Sequence, residues 1–520
     1  MEQQHSMGSP PIAKLDCDVL GRIFAINTAK EKLTRGEYDY DDLLRRSPLT
    51  TARHTSQVCA SWRQLIIGST SLWGSIFDLD FLNQNSDTWR NEVLLRTGNA
   101  DLSISGGLFH PDDEGIAEIF ELLLKNHWTR IVRIDVGIPT LGDDACSALE
   151  RPAPNLRSFS IRFSDAPDRF SLAEFSLFAN HAPVLTRFHQ NDAPIHPKAS
   201  WLAGLTYLEL DSVPTLRILL DICSHMHSLQ TLQLFFPFTG PELGGQLRSV
   251  NIPSLTTLFI RGAFDMALAF LDNITPAPGC SLHLLGRPAL GSPTNAPIKL
   301  SVAQYIIGRF ANDYFSHHSC TSIHLEFTPS TVGLADDSDE FNVSIDFRSK
   351  IPTSALTLCS VKLVPAHFSH VKMLRLCIRG LPTAAHSLKS LFHKFLTTMT
   401  ALEKLWITTD GLNLFTTSLS RDTQQRVFPH LKTIILDPYH FSDAPESTTL
   451  IKDFLAMRRK IGIPIEILDL TKWDTLSQIP MGIKKLEEFS GLKVVWRSEM
   501  GTNQREYVCG SGRLEELNIE

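Results

Sequence analysis

The chain has 520 residues, more than one ordinary hydrophobic core organises, so we expect several folded units or an array of repeats. Hydrophobic residues make up 43% and charged residues 20% of the chain, a balance typical of folded proteins and not of disordered ones. The net charge of -7 argues against a nucleic acid or an anionic membrane as the main partner.

Cysteine usage and the lack of a long apolar segment predict where the protein resides. The nine cysteines are scattered, odd in number and mostly set in apolar runs, which favours reduced thiols inside a cell. No stretch approaches the ~18 apolar residues that a membrane helix needs, and the N-terminus has no basic segment leading into an apolar run. We therefore expect a soluble protein of the cytoplasm or the nucleus.

The first predicted element is a short helix that follows a disordered tail over residues 1–10. Asp16 stands at its N-cap, and Asp18 lies in the first turn, where the helix dipole favours a negative charge. The apolar stripe of this helix consists of Val19, Leu20, Ile23 and Phe24. The charged segment 30–48 comes next and predicts a solvated insertion.

A second amphipathic helix is predicted within residues 56–76. Its apolar face recurs at steps of three and four residues and consists of Val58, Cys59, Trp62, Leu65 and Ile66. We expect the helix to end near Gly68, with a turn at 69–71. We expect the chain to turn back after it, so that Leu72, Trp73 and Ile76 pack against the helix. The two helices and this returning segment then form a small local core.

The order and spacing of these segments resemble the F-box, in the form found in many fungal F-box proteins. The family pattern, Leu-Pro-x-Glu with an apolar run, then Val-Cys-x-x-Trp-Arg, then Ser-Leu-Trp, is matched at Leu15, Asp18, Val19, Leu20, Ile23, Phe24, Val58, Cys59, Trp62, Arg63, Ser71, Leu72 and Trp73. The chain departs from it at Asp16, where the family usually has Pro. The resemblance covers roughly residues 11–105, of which 11–80 form the helical F-box-like domain and 81–125 lead into the next region.

A repeated template, apolar-x-x-apolar-x-apolar, fills residues 126–520, and its last two apolar positions alternate as a half-buried strand requires. Copies start at Ile131, Leu156, Leu205, Leu229, Leu255, Cys320, Val371, Leu402, Leu431 and Ile465, with a weaker copy at Leu185. Many of the intervals are roughly 25 to 34 residues. Helical stripes, such as those in 116–124 and 216–223, separate strands.

Proline stands two residues before four of the copies, where its fixed φ sets up entry into a strand, at Pro154, Pro183, Pro253 and Pro429. This region resembles the leucine-rich repeats that commonly follow fungal F-boxes, although most copies lack the usual Asn or Cys after the strand. An ordinary α/β domain with parallel strands is the alternative. The acidic stretch 328–350 predicts a solvent loop. The predicted fold class is α+β multidomain, a small helical F-box followed by an irregular leucine-rich-repeat-like α/β solenoid.

No motif for catalysis or a cofactor is present in the sequence. It contains neither type of Gly-rich phosphate loop, no Gly-x-Ser-x-Gly and no His-Glu-x-x-His. Cys223 with His225 and His227, and His317 and His318 with Cys320, lack a second ligand cluster at zinc-site spacing. We therefore predict no enzyme activity, no cofactor and no metal site.

The resemblance implies the substrate-recognition subunit of an SCF-type (Skp–cullin–F-box) E3 ubiquitin ligase. The helical box would dock on a Skp-type adaptor of the cullin-RING ligase, and the repeats would hold an unknown protein substrate. The positions carried over to the box core and adaptor face are Leu15, Val19, Leu20, Ile23, Phe24, Val58, Trp62 and Leu65. The alternatives are a repeat-based interaction scaffold not coupled to ubiquitination, motivated by Asp16 and the charged insertion, and an enzyme of unfamiliar type.

Substrate contact is expected on the strand face, because repeat proteins bind partners on the concave surface that their strands line. Outward polar or aromatic residues that alternate with the strand core are the candidates. They are Arg162, Glu209, Asp211, Phe259, Arg261, Arg375 and Trp406. We expect neither nucleic acid nor membrane among the partners.

Overall fold

The computed structural model describes residues 15–28, 47–84, 86–107, 113–172, 174–190, 195–212, 215–237, 246–288, 300–347, 365–380, 396–418, 427–437, 445–472, 483–497 and 504–512. The chain forms two compact units. Unit 1 comprises residues 1–212 and 221–229, and unit 2 comprises 213–220 and 230–520. Most of the predicted charged insertion, 30–48, lies outside the described residues.

The described helices are α1 (Cys17–Asn27), α2 (Pro48–Thr55), α3 (Ala60–Gly68), α4 (Thr70–Ser75), α5 (Leu79–Leu82), α6 (Thr88–Arg96), α7 (Glu114–His127), α8 (Asp143–Leu149), α9 (Leu216–Cys223), α10 (Phe264–Asp272), α11 (Leu300–His317), α12 (Thr409–Ser418) and α13 (Pro445–Lys460). Short 3₁₀ helices span Trp128–Arg130, Asp168–Ser171, Leu177–Asn180, Ser200–Gly204, Pro365–Phe368 and Ile483–Glu488. The division between the two units runs through α9.

The strands of unit 1 are β1 (Phe77–Asp78), β2 (Leu102–Gly106), β3 (Ile131–Ile138), β4 (Ser158–Phe163), β5 (Arg187–Gln190) and β6 (Tyr207–Leu210). Those of unit 2 are β7 (Thr231–Phe236), β8 (Val250–Asn251), β9 (Thr257–Ala263), β10 (Ile274–Thr275), β11 (Ser281–Arg287), β12 (Ser322–Phe327), β13 (Thr331–Asp336), β14 (Phe341–Asp346), β15 (Met373–Ile378), β16 (Lys404–Ile407), β17 (Thr433–Leu436), β18 (Ile467–Asp469), β19 (Lys493–Arg497) and β20 (Gln504–Val508).

Unit 1 opens with a helical region in which α1, α2 and α3 pack on one another. Asp16 caps α1 as predicted, because its Oδ1 accepts a hydrogen bond from the backbone N–H of Asp18 at 3.1 Å. The predicted return is also confirmed. Trp73 is fully buried, and its indole N–H donates to the carbonyl of Ile66 at 2.8 Å, which satisfies the one polar atom of the ring.

The second predicted helix begins later than expected. It starts at Ala60, with Cys59 in extended conformation at the N-cap, and it ends at Gly68 as predicted. Val58 therefore precedes α3 and does not share its apolar face, and 62% of its surface is exposed. Apolar periodicity alone did not reveal the cap, because cysteine is not a favoured N-cap residue.

The predicted template coincides with a strand at all ten strong copies and at the weaker copy, which becomes β5. A tight turn introduces most copies, in which the N–H of the first apolar residue donates to the carbonyl three residues earlier, as for Leu156 to Ala153 and Leu255 to Ile252. Pro154 and Pro253 occupy the second position of these turns, where a φ near −65° is needed. The next N–H then bonds the preceding repeat, as Glu403 bonds the Lys372 carbonyl at 2.8 Å.

In unit 1, strands β1 to β6 pair in chain order, and every pair is parallel. Inward residues of adjacent strands stack beneath the sheet, where Phe159 and Phe188 lie 5.4 Å apart and Trp201 lies 5.0 Å from Phe188, measured between ring centroids. All three are buried. Because Phe188 faces the core, its neighbour in sequence faces outward.

Unit 2 has a larger and mostly parallel sheet. Its strands follow the order β7, β9, β11, β14, β13, β12, β15, β16, β17, β18, β19 and β20. The pairs that involve β13 or β20 are antiparallel and the others are parallel. Both units are thus α/β arrays of repeated turns and strands, consistent with the predicted solenoid repeat.

The prediction of a solvent loop over 328–350 was wrong for its described part. Residues Thr331–Asp336 and Phe341–Asp346 form β13 and β14, an antiparallel pair inserted between β12 and β11. Val332, Phe341 and Val343 are buried. The acidic residues occupy the hairpin turn and its flanks, so their charge concealed two strands with alternating burial.

Replacing Gly262 with alanine should destabilise unit 2. Gly262 has φ +128°, a conformation that side chains disfavour, and a Cβ at this position would overlap the carbonyl of Phe236 in the neighbouring strand. We expect a loss of at least ~2 kcal/mol in the free energy of unfolding, measured by denaturant titration.

Gly21→Ala is the matched control, because Gly21 lies inside α1 and an added Cβ meets no atom within 4 Å. It should stabilise the protein by about 0.5 to 1 kcal/mol. Equal effects of the two substitutions would contradict the strand geometry around Gly262.

Candidate functional site

The eight residues predicted for the box core and adaptor face divide by exposure. Leu20 and Phe24 are buried, and the Phe24 ring packs edge-on against Trp62 with 4.9 Å between centroids. Ile23, Trp62 and Leu65 are half-buried. Leu15, Val19 and Val58 are exposed, at 39%, 44% and 62%. The buried pair belongs to the core, the half-buried residues keep part of their surface accessible, and the exposed set offers the most apolar surface to a partner.

The exposed apolar surface extends beyond the predicted residues. Ile26 is 71% exposed and lies seven residues after Val19 on the same face of α1, and the exposed Leu15 directly precedes the N-cap of this helix. We call Leu15, Val19 and Ile26 together the α1 stripe. Ile67 on α3 is 41% exposed. Large exposed apolar residues are therefore concentrated in this short helical region, and such concentrations mark interaction surfaces.

An exposed thiol lies at the edge of the same region. Cys59 occupies the N-cap of α3, where the Ser61 hydroxyl, at 3.1 Å from Sγ, and the backbone N–H of Trp62 lower the pKa of the thiol below its ordinary value. Thiolate character at a helix N-terminus increases reactivity. By contrast, burial raises the pKa of Cys223 to about 12 and that of Cys509 to about 11.

A row of polar side chains crosses the outward face of the unit 1 sheet. Strand register places Asp135, Ser160, His189 and Glu209 opposite one another on β3, β4, β5 and β6. Outward side chains on adjacent strands at the same register lie within contact distance. Residues far apart in sequence therefore meet in one row, beside a depression of about 160 Å³.

Three of the predicted substrate-binding residues, Arg162, Glu209 and Asp211, meet at this row. A guanidinium nitrogen of Arg162 lies 3.1 Å from Asp135 Oδ1, and the other lies 3.4 Å from His189 Nδ1. His189 Nε2 lies 3.1 Å from Asp211 Oδ2 and 3.7 Å from Glu209 Oε1. The sequence prediction placed these three residues on the strand face but did not include His189, which joins them.

Contacts around the row hold its members in place. His189 Nδ1 lies 3.0 Å from the Ser160 hydroxyl. The Tyr207 hydroxyl donates to Glu209 Oε2, and burial together with this carboxylate raises the pKa of Tyr207 far above its ordinary value. The Arg187 guanidinium covers the Tyr207 ring at 4.0 Å from its centroid. The side chain of His189 is only 8% exposed, so this imidazole is a fixed part of the surface.

The outward face of unit 2 carries two different groups. Phe259 lies between Phe235 and His283, with 5.8 Å between centroids on each side, and Arg261, the next outward residue on β9, is exposed. These side chains make an aromatic row with an adjacent positive charge. The predicted residues Phe259 and Arg261 therefore share one patch.

The other group joins Arg375 and Trp406, which register opposite one another on β15 and β16. The Arg375 guanidinium lies 4.0 Å from the Trp406 ring centroid, and Lys472 Nζ lies 5.1 Å from the same ring. The indole N–H of Trp406 donates to Asp437 Oδ2 at 3.1 Å. Asp437 and Lys472 were not among the predicted residues, although Asp437 follows β17 at the template position that the predicted Asp211 holds after β6.

His324 on β12 registers opposite Arg375. Burial and the nearby positive charge of Arg375 lower the pKa of His324 to about 4. The imidazole is therefore neutral at physiological pH and adds no positive charge to those of Arg375 and Lys472 around the Trp406 ring.

Among the residues that the structure describes, one group of three has His, Cys, Asp or Glu ligand atoms close enough for a metal ion, namely His189, Glu209 and Asp211. The two clusters considered from sequence, around Cys223 and around His317, do not form such a group there. The α1 stripe and the outward faces of the two sheets present apolar, aromatic and paired charged side chains, which are suited to binding.

Comparison with known proteins gives little beyond this description. A scan against models of protein families matches none of them, and no curated protein is similar to the chain. Among solved structures, the leucine-rich repeat-containing protein LegL7 from Legionella pneumophila is 16% identical, with 59% of this chain and 93% of that chain covered and a TM-score of 0.23. A TM-score this low carries no argument, so the repeat description rests on the strand register. No described helix has the length and hydropathy to cross a bilayer.

Lowering the pH should destabilise the protein partly through His324. Its pKa is about 4 in the folded chain and 6.5 ordinarily, so below pH 6.5 the unfolded state takes up a proton that the folded state refuses until near pH 4. The free energy of unfolding therefore falls across this window. We expect the melting temperature of His324→Gln to fall less than that of the native chain between pH 6.5 and 4.5.

His370→Gln is the control, because His370 is exposed in the same unit. Its melting temperature should follow that of the native protein at each pH. Parallel curves for His324→Gln and the native chain would show that His324 does not contribute.

Proposed function

We propose that the chain is the substrate-recognition subunit of an SCF-type E3 ubiquitin ligase. Its helical region would dock on a Skp-type adaptor of a cullin-RING complex, and its strand faces would bind a protein substrate. The observation that carries the proposal is the α1 stripe. Val19 and Ile26 expose apolar surface on α1, and Leu15 exposes it just before the helix begins, while Phe24 on another side of α1 packs against Trp62.

Burial energetics support docking at this stripe. Moving a large apolar side chain out of water contributes about 1.5 to 3 kcal/mol, so several exposed residues supply a large part of the affinity of a stable complex. Val58 and Ile67 add apolar surface in the same helical region. The resemblance to the F-box assigns the adaptor as the partner, through the spacing of Val58, Cys59 and Trp62 after the first helix.

The strand faces support a role in holding a protein partner. They present aromatic and arginine side chains, among them Phe259, Arg261, Arg375 and Trp406, and such residues dominate binding energy at protein interfaces. In this proposal the chain performs no chemistry. It raises the effective concentration of substrate lysines near a conjugating enzyme, in the cytoplasm or the nucleus.

An interaction scaffold that is not coupled to ubiquitination is the second candidate. Asp16 favours it, because this residue caps α1 where the F-box family usually has Pro. A scaffold of this kind would use the strand faces in the same way and would bind no adaptor.

Val19→Glu and Val58→Glu should weaken adaptor binding without unfolding the chain. Each places a charge on a surface that docking would desolvate, and both positions are exposed in the free protein. We expect at least a tenfold weaker association of the full chain with a purified Skp-type adaptor, measured by calorimetry. Trp62→Ala is less informative, since emptying core costs about 3 to 5 kcal/mol.

Ala25→Glu is the matched control, because Ala25 is an exposed residue of α1 that is not three or four residues from Val19 or Ile26 and therefore lies on another face of the helix. Its binding should stay close to that of the native chain. A folded native chain that binds no adaptor would reject the ligase role in favour of the scaffold. Native binding that survives Val19→Glu and Val58→Glu would reject the assigned face.

A further inference from the structure

The outward row of unit 1 brings together three side chains to which the proposed function assigns no joint role. We infer that His189, Glu209 and Asp211 form a binding site for one divalent transition-metal ion, with Zn²⁺ the best match. Sequence analysis did not indicate this site, because its histidine lies on the weak copy of the template and its carboxylates lie on or just after the next strand.

Distances between the ligand atoms fit a coordination sphere. His189 Nε2 lies 3.1 Å from Asp211 Oδ2 and 3.7 Å from Glu209 Oε1, and all three ligand atoms lie within 4.8 Å of one another. Bonds of ~2.0 to 2.1 Å in tetrahedral geometry separate neighbouring ligand atoms by roughly 3.3 Å. The separation of 3.1 Å is close to this value, and the longer ones would have to shorten by side-chain rotation on binding.

The charges at the site call for a cation. Glu209 and Asp211 project from the same side of neighbouring outward positions, and within the described chain their ion-pair partner is His189, with no Lys or Arg within 4.0 Å. The nearby Arg162 is paired with Asp135 instead. A divalent ion would offset both carboxylates at once, whereas an imidazole carries at most one positive charge.

Neighbouring residues orient the ligands as outer-shell partners do in metal sites. Ser160 lies 3.0 Å from His189 Nδ1, so its hydroxyl can accept the Nδ1 proton and leave Nε2 as the ligand. Tyr207 donates to Glu209 Oε2 and leaves Oε1 toward the site. Without metal, Nε2–H donates to Asp211. Metal binding would therefore replace the proton on Nε2 with the ion. The bound imidazole would carry its proton on Nδ1 and donate it to the Ser160 hydroxyl.

Ligand type selects the metal. One imidazole and two carboxylates suit Zn²⁺ or a similar transition ion, whereas Ca²⁺ and Mg²⁺ prefer oxygen ligands alone. The side chains of Glu209 and Asp211 are 20% and 35% exposed, so the site opens to solvent on the side away from the sheet. Its remaining coordination positions would take water or a side chain of a bound protein.

Zn²⁺ titration of the full chain, after chelator treatment and gel filtration, tests the site directly. We expect one ion per chain by calorimetry, and at least a tenfold weaker affinity for His189→Asn and for Asp211→Asn. Zn²⁺ should raise the melting temperature of the native chain but not that of His189→Asn. Co²⁺ should give visible absorption bands that the same variant loses. Mg²⁺ is the control ion and should not bind.

Two further variants separate this site from general zinc binding. His225→Asn removes a histidine of the cluster considered from sequence, and it should leave the affinity unchanged. Arg162→Gln removes a positive charge beside His189 and should strengthen binding. Native-like affinity in folded His189→Asn and Asp211→Asn, or no bound Zn²⁺ in the native chain, would overturn the inference. Neither result bears on adaptor docking, which concerns the α1 stripe.

Discussion

A backbone hydrogen bond between consecutive repeats sets the phase of the strands. In unit 2 the N–H of Glu403 bonds the carbonyl of Lys372, that of Lys432 bonds Glu403, and that of Glu466 bonds Lys432, at 2.8 to 3.0 Å. Each such bond falls one residue after the first apolar residue of a copy, which is Leu402, Leu431 or Ile465, and the first two of these also close a turn. A slip of one residue would turn every inward side chain to solvent, so the turn and this bond together determine which residues form the core.

Because the register between strands is fixed, outward residues at the same register become neighbours on the surface, whatever their distance in sequence. Lys372 and Glu403 lie 3.9 Å apart, and Lys432 and Glu466 lie 3.2 Å apart, as opposite charges on adjacent strands. These exposed pairs add little stability individually. In unit 1 the same rule places His189 beside Glu209. This contact is partly buried, so solvent screens it less than it screens the exposed Lys–Glu pairs.

Periodicity predicted the parts of the fold that one repeat determines by itself. The inward leucines, the turn prolines and the cap at Asp16 are local signals, and each appears where expected. The hairpin β13 and β14 was not predicted, because its acidic turn resembles a loop. Strands β2 and β11 were not predicted, because they lack a clear copy of the template. Arg162, Glu209 and Asp211 were predicted as outward residues, but their convergence on His189 depends on register between repeats, which no single repeat encodes.

The two surfaces of the protein differ in physical kind, and this difference governs what each does in binding. The α1 stripe is apolar and its contacts are non-directional, so in the proposed complex it would supply affinity through area removed from water. The strand-face groups, such as Arg375 on Trp406 or His189 with Asp211, have fixed geometry and buried polar atoms. A protein substrate that failed to match them would leave charges unpaired, at a cost that apolar contact does not offset. In the proposed complex, affinity for the adaptor would therefore rest on the helices and selectivity for the substrate on the strands.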